Sequence, residues 1–398
     1  MKQKILISSL FLVLLLAACA PAQTAALPAA ATSPQQAADT AANAQQVDYS
    51  PTIAVNTDML NAVQTTFQQI YQNVNPSVVN IQVTQDAGQF GVTGGEGSGF
   101  VWDAEGHIVT NNHVVENASS ITVTFADGTV ADAKLVGADP ESDLAVIQVD
   151  PAAAELRPVT MADSQAVQVG DLVIAIGNPY GLSGTMTQGI VSALSRSLTV
   201  DEGSSFPNSS STGSYSIPDI IQTDAAINPG NSGGVLVDVD GHVVGVTAAI
   251  QSTSGSNAGI GFVIPAHIVQ RVVPVLITDG AYAHPRLGIS GTTLTPSVAS
   301  QVDLDESQQG VLVITVTAGG PADKAGVQAS TQQRSRNGQS TLVTAGDVIT
   351  AIDDQPVITF EDLSSYLFNN TQVGQKVKLT VLRGGMEKTL EVTLEAGS

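Results

Sequence analysis

A serine enclosed by glycines is the residue of this sequence best suited to nucleophilic chemistry. Ser232 stands in the run Gly-Asn-Ser-Gly-Gly at 230–234. Glycines permit a tight turn in which the hydroxyl is exposed and neighbouring backbone N–H groups point at one spot. Such a turn can hold the oxyanion of a tetrahedral intermediate, which acyl transfer requires. Ser232 is therefore a candidate acyl-transfer nucleophile.

The same five residues also match G-x-S-x-G, the nucleophile elbow of α/β-hydrolases. An elbow needs a helix directly after the serine and partners in the chain order serine, acid, histidine. Here a strand pattern at 235–237 and a turn at 238–241 follow the serine, and better partners precede it. The sequence therefore disfavours the elbow.

His113 is the preferred general base among the five histidines. It lies in Thr-Asn-Asn-His-Val-Val at 110–115, where a strand runs into a short helical turn that can face a cleft. His107 and His242 begin strands after Gly-containing turns and should be solvated. Structural roles suffice for His267, in the closing helix, and His284, between the domains.

Asp143 is the preferred acid because it directly precedes the apolar strand pattern at 144–149. Its carboxylate could be buried at the strand end against the imidazole. Its rivals are Asp139, which belongs to a proline turn, and Asp150, which follows the strand. The resulting chain order of histidine, aspartate and serine matches chymotrypsin and differs from the other common orders.

The composition excludes several other classes of protein. The chain has 398 residues, 14 Lys+Arg against 36 Asp+Glu, a net charge of −22 and one cysteine. Nucleic-acid binding needs clustered Lys and Arg to neutralise phosphates, so we expect no nucleic-acid partner. A single cysteine forms neither an internal disulfide nor a Cys-ligated metal site. We expect no metal and no cofactor.

The elements that must position these residues are mainly strands. Short β-branched runs alternate with Gly, Asp and Asn turns between about 76 and 264, a pattern typical of barrels or sandwiches. Helix patterns lie at 60–74, 266–277 and 360–368. Strand patterns surround the last of these helices. We therefore predict two β-rich domains, at 57–280 and 281–398.

The first 19 residues have the layout of an export signal. Lys2 and Lys4 precede an apolar stretch ending Leu-Ala-Ala-Cys at Cys19, which resembles the lipobox of bacterial lipoproteins. The alternative is an ordinary signal peptide, 1–19, with an incidental cysteine. Residues 20–56 are rich in Ala, Gln, Pro and Thr and should form a disordered tether. We therefore expect an exported protein that contacts a bacterial membrane by its lipid anchor only.

Five segments together resemble the HtrA (Deg) family of serine endopeptidases over nearly all of residues 60–395. They are TNNHVV, SDLAVIQV, GNPYGLSGTMTQGIVSALSR, QTDAAINPGNSGG and GIGFVIP. The resemblance implies a mainly β protein with a chymotrypsin-like double β-barrel protease followed by one PDZ domain.

The resemblance also assigns roles to individual residues. His113 would be the base, Asp143 its orienting acid and Ser232 the nucleophile. The oxyanion hole would lie at Gly230, Asn231 and Ser232, with the N–H groups of Gly230 and Ser232 as donors.

The implied function is that of an ATP-independent serine endopeptidase of protein quality control. It would cleave unfolded or misfolded exported proteins through an acyl-enzyme and bind C-terminal peptides at the PDZ domain. A homotrimer is expected, with the 60–74 helix near its contacts. The competing hypothesis is a proteolytically silent peptide-binding chaperone or signalling adaptor. Such relatives usually lose a triad residue, and none is missing here.

Ile250 and Ile260 align with the substrate cleft of the family, where Ile260 should form a wall of the primary specificity pocket. No aspartate stands at 248–251 to receive a Lys or Arg side chain. We therefore expect cleavage after small aliphatic residues such as Val and Ala.

A long serine-rich segment, 195–218, occupies the place of the regulatory loop of the family. Arg196 matches its arginine, whereas Ser195 replaces the usual glycine. The insertion has no counterpart in the family pattern, so the resemblance alone does not assign its mechanism.

The run Arg286-Leu287-Gly288-Ile289 resembles the carboxylate-binding loop of PDZ domains. Arg286 stands where an aromatic residue is often found. A polar stretch at 328–344 separates two motifs that nearly abut in the family. These two departures from the family pattern mean that the resemblance does not assign the preferred peptide.

Overall fold

A computed structural model describes residues 57–86, 92–181, 184–200, 215–250, 259–334 and 340–397. The signal peptide, Cys19, the tether and most of the 195–218 loop lie outside the described residues. Residues Thr57–Ser398 belong to one compact unit. Within the described part of the chain, no helix combines the length and apolar character needed to cross a bilayer.

Helix α1 (Thr57–Val74) is the first described element and confirms the predicted amphipathic helix. Near its C-terminus, Ile70 and Val74 are buried in the core of the protein. Leu60 and Val63 on the early turns are 59% and 42% exposed. The described residues therefore cover only the second half of the apolar face of this helix.

The first six strands close into a barrel in the order β1-β2-β3-β6-β5-β4. They are β1 (Val78–Asp86), β2 (Val92–Val101), β3 (His107–Thr110), β4 (Ser120–Thr124), β5 (Val130–Asp139) and β6 (Leu144–Val149), with the short helix α2 (Asn112–Val115) after β3. Val79, Ile81 and Val83 point into the barrel core because alternate residues of a strand share a face.

The second barrel has the order β10-β11-β12-β9-β8-β7. Its strands are β7 (Leu172–Gly177), β8 (Thr185–Val200), β9 (Tyr215–Thr223), β10 (Val235–Val237), β11 (Val243–Ile250) and β12 (Gly261–Pro265). Helix α3 (Ala266–Asp279) follows and confirms the predicted closing helix. It ends at Gly280, whose φ of +80° suits a residue without a side chain.

A PDZ-type unit follows α3, so the structure confirms the predicted fold class. Its strands are β13 (Pro285–Arg286), β14 (Ile289–Thr293), β15 (Val311–Val316), β16 (Thr331–Arg334), β17 (Ser340–Thr344), β18 (Val348–Ile352), β19 (Gln355–Pro356), β20 (Lys376–Arg383), β21 (Met386–Thr393) and β22 (Glu395–Ala396). Its helices are α4 (Pro296–Gln301), α5 (Pro321–Lys324) and α6 (Phe360–Asn370). The polar stretch at 328–344 contains the β16–β17 hairpin.

The main sheet of this unit has the order β14-β15-β18-β20-β21, so β14 lies at its edge. Helix α6 begins beside β14, where the Phe360 N–H donates to Thr293 Oγ1 at 2.9 Å. The helix begins there because Thr359 and Asp362 form a reciprocal capping box. A groove between an edge strand and a helix is the place where PDZ domains bind peptides.

The two domains meet through one buried and one exposed polar contact. His284 Nε2 lies 2.8 Å from Asp139 Oδ2, and these side chains are only 6% and 2% exposed. Next to this pair, Arg286 binds Glu141 at 2.5 Å. Both contacts join the start of the PDZ-type unit to the segment directly before Asp143.

Arg271 of α3 lies at the same interface. Its guanidinium stacks 4.8 Å above the centre of the Phe368 ring, and Nη1 donates to the Asn369 carbonyl at 3.0 Å. Burial lowers the pKa of Arg271 below its ordinary value. Its Nε and Nη2 have no hydrogen-bond partner among the described residues.

Candidate active site

His113 and Asp143 lie together because their strands are neighbours. β3 and β6 pair with Thr110 opposite Ala145, so the residues after β3 face those before β6. His113 Nδ1 lies 2.8 Å from Asp143 Oδ2, and the His113 backbone N–H donates to Asp143 Oδ1 at 3.0 Å. The Asp143 carboxylate is almost fully buried, with 4% exposure, whereas the His113 side chain is 17% exposed.

The backbone of Asp143 is held in an uncommon conformation. Its φ of +53° lies in the left-handed region, where aspartate is tolerated better than most residues. Its carbonyl accepts hydrogen bonds from the Asn112 N–H at 3.1 Å and from Asn111 Nδ2 at 2.9 Å. These bonds tie the acid to the turn that carries His113. The geometry orients the imidazole and can stabilise its protonated form.

Ser232 lies on the connection from β9 to β10 of the second barrel, shortly before β10, and is half-buried. A strand follows it, as the sequence predicts, and not the helix that an elbow requires. The Ser232 carbonyl accepts the Ser98 N–H of β2 at 2.7 Å. A β-carbon added to Gly97 would contact both Val114 of α2 and the Ser232 carbonyl. The serine and the helix of His113 therefore meet at this point.

Two backbone N–H groups beside Ser232 are available to a ligand. Asn231 N–H donates to Asn228 O at 2.9 Å, and Gly233 N–H donates to Thr247 O at 2.8 Å. Among the residues that the structure describes, the N–H groups of Gly230 and Ser232 have no acceptor. The structure thus leaves two free donors here, because the third, at Asn231, is used inside the turn.

The two predicted pocket residues lie at or next to the ends of neighbouring strands of the second barrel. Ile250 ends β11 and pairs with Gly261, the first residue of β12. Ile260 directly precedes Gly261 in the chain. Ile260 is partly buried against the core between the barrels. The side chain of Ile250 lies outside the described part of the structure.

The described ends of the 195–218 segment lie on β8 and β9. Ser195 has a φ of +52°, which is the conformation that favours glycine, and its Oγ donates to Asp219 Oδ1 at 3.0 Å. Arg196 is exposed and pairs with Ile220 across the two strands. The structure therefore gives a physical reason for the glycine usual at position 195.

The candidate carboxylate loop joins β13 to β14. Leu287 is buried, and Gly288 has a φ of +73°. The carbonyls of these two residues accept bonds from Ala322 and Thr317, while their N–H groups have no acceptor in the described ranges. Ile289 starts β14 at the open edge of the sheet, and Arg286 is engaged by Glu141. Two free N–H groups thus stand at the end of the candidate peptide groove.

The other histidines lie elsewhere. His284 is paired with Asp139, which removes Asp139 as a rival of Asp143. His267 contacts Asp219 at 3.3 Å, and His242 is 46% exposed. The expectation that His107 is solvated is wrong. Its side chain is only 12% exposed because Nδ1 contacts Asp103 Oδ2 at 2.6 Å.

One surface group has the composition of a metal site. In the part of the chain that the structure describes, Asp238, Asp240 and His242 form the one cluster of three potential ligands. They lie on the β10–β11 turn, where Asp238 Oδ1 already accepts the N–H groups of Asp240 and His242 at 3.0 and 2.9 Å. Hydrogen bonds within a hairpin turn explain this cluster.

Sequence reasoning missed Ser98, which lies in Gly-Ser-Gly at 97–99 of β2. It is fully buried, and its backbone and hydroxyl contact the Ser232 turn. The available signal was a serine between two glycines inside an apolar strand pattern. That signal resembles the one that pointed to Ser232.

Residues 97–246 match the family model of the trypsin-like peptidase domain, and residues 285–394 match that of the PDZ domain. The periplasmic serine endoprotease DegP of Escherichia coli (strain K12) is 36% identical over 416 residues, covering 100% of this chain and 81% of that protein. Protease Do-like 1, chloroplastic, of Arabidopsis thaliana is 42% identical over 334 residues, covering 82% of this chain and 71% of that protein.

A solved structure shows the same similarity. It is described as the HtrA-type protease AlgW with decapeptide and superimposes with a TM-score of 0.65 at 33% sequence identity. The match covers 83% of this chain and 99% of that chain.

Proposed function

Because the chain belongs to the DegP-like, HtrA-type family of serine endopeptidases, we propose that Ser232 is its nucleophile, His113 its general base and Asp143 the acid that orients the base. The observation that carries this proposal is the 2.8 Å contact between His113 Nδ1 and the buried Asp143 carboxylate, beside the turn of Ser232. The protein is a serine-type endopeptidase. Its first barrel supplies the base and the acid, and its second barrel supplies the serine.

Catalysis begins when His113 Nε2 takes the proton of the Ser232 hydroxyl and Oγ attacks the scissile carbonyl. The Asp143 carboxylate favours the tautomer with the proton on Nδ1 and stabilises the imidazolium that forms. The N–H groups of Gly230 and Ser232 bind the oxyanion. Collapse transfers the proton from His113 to the leaving amine and produces an acyl-enzyme. Water, deprotonated by His113, then hydrolyses the acyl-enzyme.

The substrates in this proposal are unfolded or misfolded exported proteins, and the role is ATP-independent protein quality control outside the cytoplasm. The naming of the DegP relative as a periplasmic serine endoprotease supports the extracytoplasmic location. Cleavage after Val and Ala is the expected preference. It is supported by the partly buried, uncharged Ile260 beside β12 and by the lack of an acidic residue at 248–251.

The PDZ domain is proposed to bind the C-termini of peptides. A peptide would extend the sheet at β14, whose outer edge pairs with no other strand of the described residues, and place its carboxylate at the N–H groups of Leu287 and Gly288. Peptides with a free C-terminal carboxylate should therefore bind more tightly than their amidated forms. Equal affinity of the two forms in a calorimetric titration would contradict carboxylate recognition.

A homotrimer and a lipid anchor at Cys19 complete the proposal. The trimer is supported by the apolar groove along α1, about 570 Å³ in volume, which includes Leu60, Val63, Phe67 and Met186. Sedimentation equilibrium tests it, and a monomer at micromolar concentration would contradict it. Radiolabelled palmitate should enter the wild-type chain but not Cys19→Ala.

The central experiment is labelling with a fluorophosphonate probe, combined with degradation of unfolded casein. The wild-type protein should be labelled and should degrade casein, whereas Ser232→Ala should do neither. His113→Ala retains the Ser232 hydroxyl but lacks the base, so the probe should label it far more slowly than the wild-type protein. An unlabelled wild-type protein would favour the silent chaperone or adaptor. Casein degradation by Ser232→Ala would overturn the assigned nucleophile.

A further inference from the structure

Ser98 is a buried polar residue of the first barrel that contacts the nucleophile turn of the second. It lies in the middle of β2, opposite Asn80 of β1, and its exposed fraction is 0%. A serine in the interior of a strand is usually satisfied by its own sheet. Here the backbone N–H and the hydroxyl of Ser98 bind outside its sheet, while its carbonyl accepts a hydrogen bond from Thr110 Oγ1 of β3 at 2.7 Å.

Ser98 makes three hydrogen bonds across the boundary between the barrels. Its N–H donates to the Ser232 carbonyl at 2.7 Å, and its Oγ donates to the Gly230 carbonyl at 2.6 Å. Its Oγ also accepts the N–H of Asn178, at the end of β7, at 2.9 Å. The hydroxyl is therefore held on one side by Asn178 and binds Gly230 on the other.

The two oxyanion donors are not held equally well. The Ser232 N–H forms one peptide group with the Asn231 carbonyl. That carbonyl accepts hydrogen bonds from the Thr247 hydroxyl at 2.6 Å and from the Gly234 N–H at 2.9 Å. The Gly230 N–H forms one peptide group with the Pro229 carbonyl, and that carbonyl accepts no hydrogen bond from the described residues. The orientation of the Gly230 donor therefore depends on its neighbours.

Gly230 also lacks a side chain that would restrict rotation of its backbone. It has a φ of +93°, and a β-carbon there would lie 2.8 Å from Pro179 Cβ. A side chain therefore cannot stabilise this conformation. The bond from Ser98 Oγ to the Gly230 carbonyl is the one hydrogen bond to that carbonyl within the described ranges.

We propose that Ser98 is a positioning residue of the protease. Its hydroxyl binds the Gly230 carbonyl and so fixes the Gly230–Asn231 peptide, which limits rotation of the Gly230 backbone and thereby keeps the Gly230 N–H of the preceding peptide directed into the oxyanion hole. The inference rests on the proposed roles of Ser232 and Gly230. Because Ser98 does not touch the substrate, its loss should affect the transition state, in which the oxyanion forms, more than substrate binding.

Ser98→Ala removes this hydroxyl and leaves the backbone bond to Ser232 in place. Outright loss of one oxyanion donor lowers kcat by about 10²–10³-fold in serine proteases. The Gly230 N–H persists in Ser98→Ala but is less well directed, so we expect a decrease of about 10- to 100-fold in kcat with KM nearly unchanged. The measurement uses the full-length protein and a fluorogenic peptide taken from one of its mapped casein cleavage sites.

Ser330 provides a matched control in the PDZ domain. It is also buried, its Oγ donates to the Val313 carbonyl at 2.7 Å, and the same oxygen accepts the Gly346 N–H at 3.0 Å. Ser330→Ala removes an equivalent pair of bonds far from Gly230 in sequence. It should reduce thermal stability comparably but leave kcat within about twofold of the wild-type value.

A second readout separates positioning from a general loss of structure. A peptide boronate forms a tetrahedral adduct that occupies the oxyanion hole, so its inhibition constant should rise in Ser98→Ala in proportion to the loss of kcat/KM. The pH at half-maximal kcat/KM should not change, because the contact between His113 and Asp143 is untouched. Should Ser98→Ala fail to fold, Ser98→Cys keeps the volume and a weak donor and should show a smaller loss of the same kind.

The outcomes distinguish the inference from the proposed function. A wild-type kcat in folded Ser98→Ala, or in Ser98→Cys if that variant must replace it, overturns the role of Ser98. A loss confined to KM, or an equal kcat loss in Ser330→Ala, also overturns it. Ser232→Ala is tested in parallel. Activity in that variant would overturn the proposed nucleophile, whereas inactivity there combined with normal Ser98 variants would remove only the inference about Ser98.

Discussion

Asp143→Asn is the sharpest test of the His113 and Asp143 contact. Asp143 Oδ1 accepts the backbone N–H of His113 at 3.0 Å, and Oδ2 faces Nδ1 at 2.8 Å. In the variant, the His113 backbone N–H still needs an acceptor, so the amide oxygen of Asn takes the Oδ1 position. The NH₂ group therefore takes the Oδ2 position and donates to Nδ1. The imidazole then carries its proton on Nε2, where it cannot accept the proton of Ser232.

The wrong tautomer should lower kcat by about 10⁴-fold, as the same change does in trypsin-like enzymes. At 1.36 kcal/mol per tenfold change, this equals about 5.4 kcal/mol of transition-state stabilisation. The variant keeps the shape of the site, so KM should change little. Steady-state cleavage of the fluorogenic peptide gives both constants, and the rate of fluorophosphonate labelling gives an independent measure of Ser232 reactivity.

Asp139→Asn is the matched control, because Asp139 is another buried aspartate in contact with a histidine and lies four residues earlier. It does not contact His113 in the described structure, so its kcat should remain within about tenfold of wild type. A loss below tenfold in correctly folded Asp143→Asn would refute the reasoning from the tautomer. Equal losses in the two variants would do the same, because they would indicate a general effect of this segment.

Three further predictions concern the nucleophile turn, specificity and charge. Gly233→Ala should abolish cleavage and lower the free energy of unfolding by about 1–3 kcal/mol, because φ is +85° and the new β-carbon would overlap the Ser98 carbonyl; normal activity and thermal stability would contradict this. Mass spectrometry of casein fragments should place most cuts after Val and Ala, and cuts mainly after Lys or Arg would refute the pocket assignment. Residues 20–280 carry four basic against 24 acidic residues, a net −20, so acidic substrates should be cleaved more slowly than matched basic ones, with a difference that shrinks as salt rises. Rates independent of salt would contradict it.

The sequence predicts those parts of the structure that local patterns control. The apolar spacing in α1 and α3 and the β-branched runs of both barrels are periodic, and the structure has helices and strands at these places. The pairing of His113 with Asp143 was also predictable, because His113 follows a strand and Asp143 directly precedes one. Asp143 shows the limit of this reasoning, since nothing local indicates its positive φ.

The features that the sequence does not predict depend on distant partners. His107 is mostly buried because Asp103, on the preceding turn, binds its ring. Ser98 acts across the boundary between the barrels, and 132 residues separate it from Gly230. The β16–β17 hairpin forms from a polar segment without alternating apolar residues. Such contacts are decided by tertiary packing, which overrides local propensity.

The contacts of Asp139 and Glu141 limit how freely the PDZ domain can be exchanged. His284 and Arg286 belong to the first residues of that domain, yet they bind the segment that presents Asp143. A chimera joined at residue 280 would bring its own residues to positions 284 and 286. Asp139 loses a buried partner unless the new residue at 284 supplies a ring or amide N–H. Glu141 loses its ion pair unless the new residue at 286 is a cation. The sequence boundary between the domains is therefore not a boundary at which they can be recombined without compensating changes.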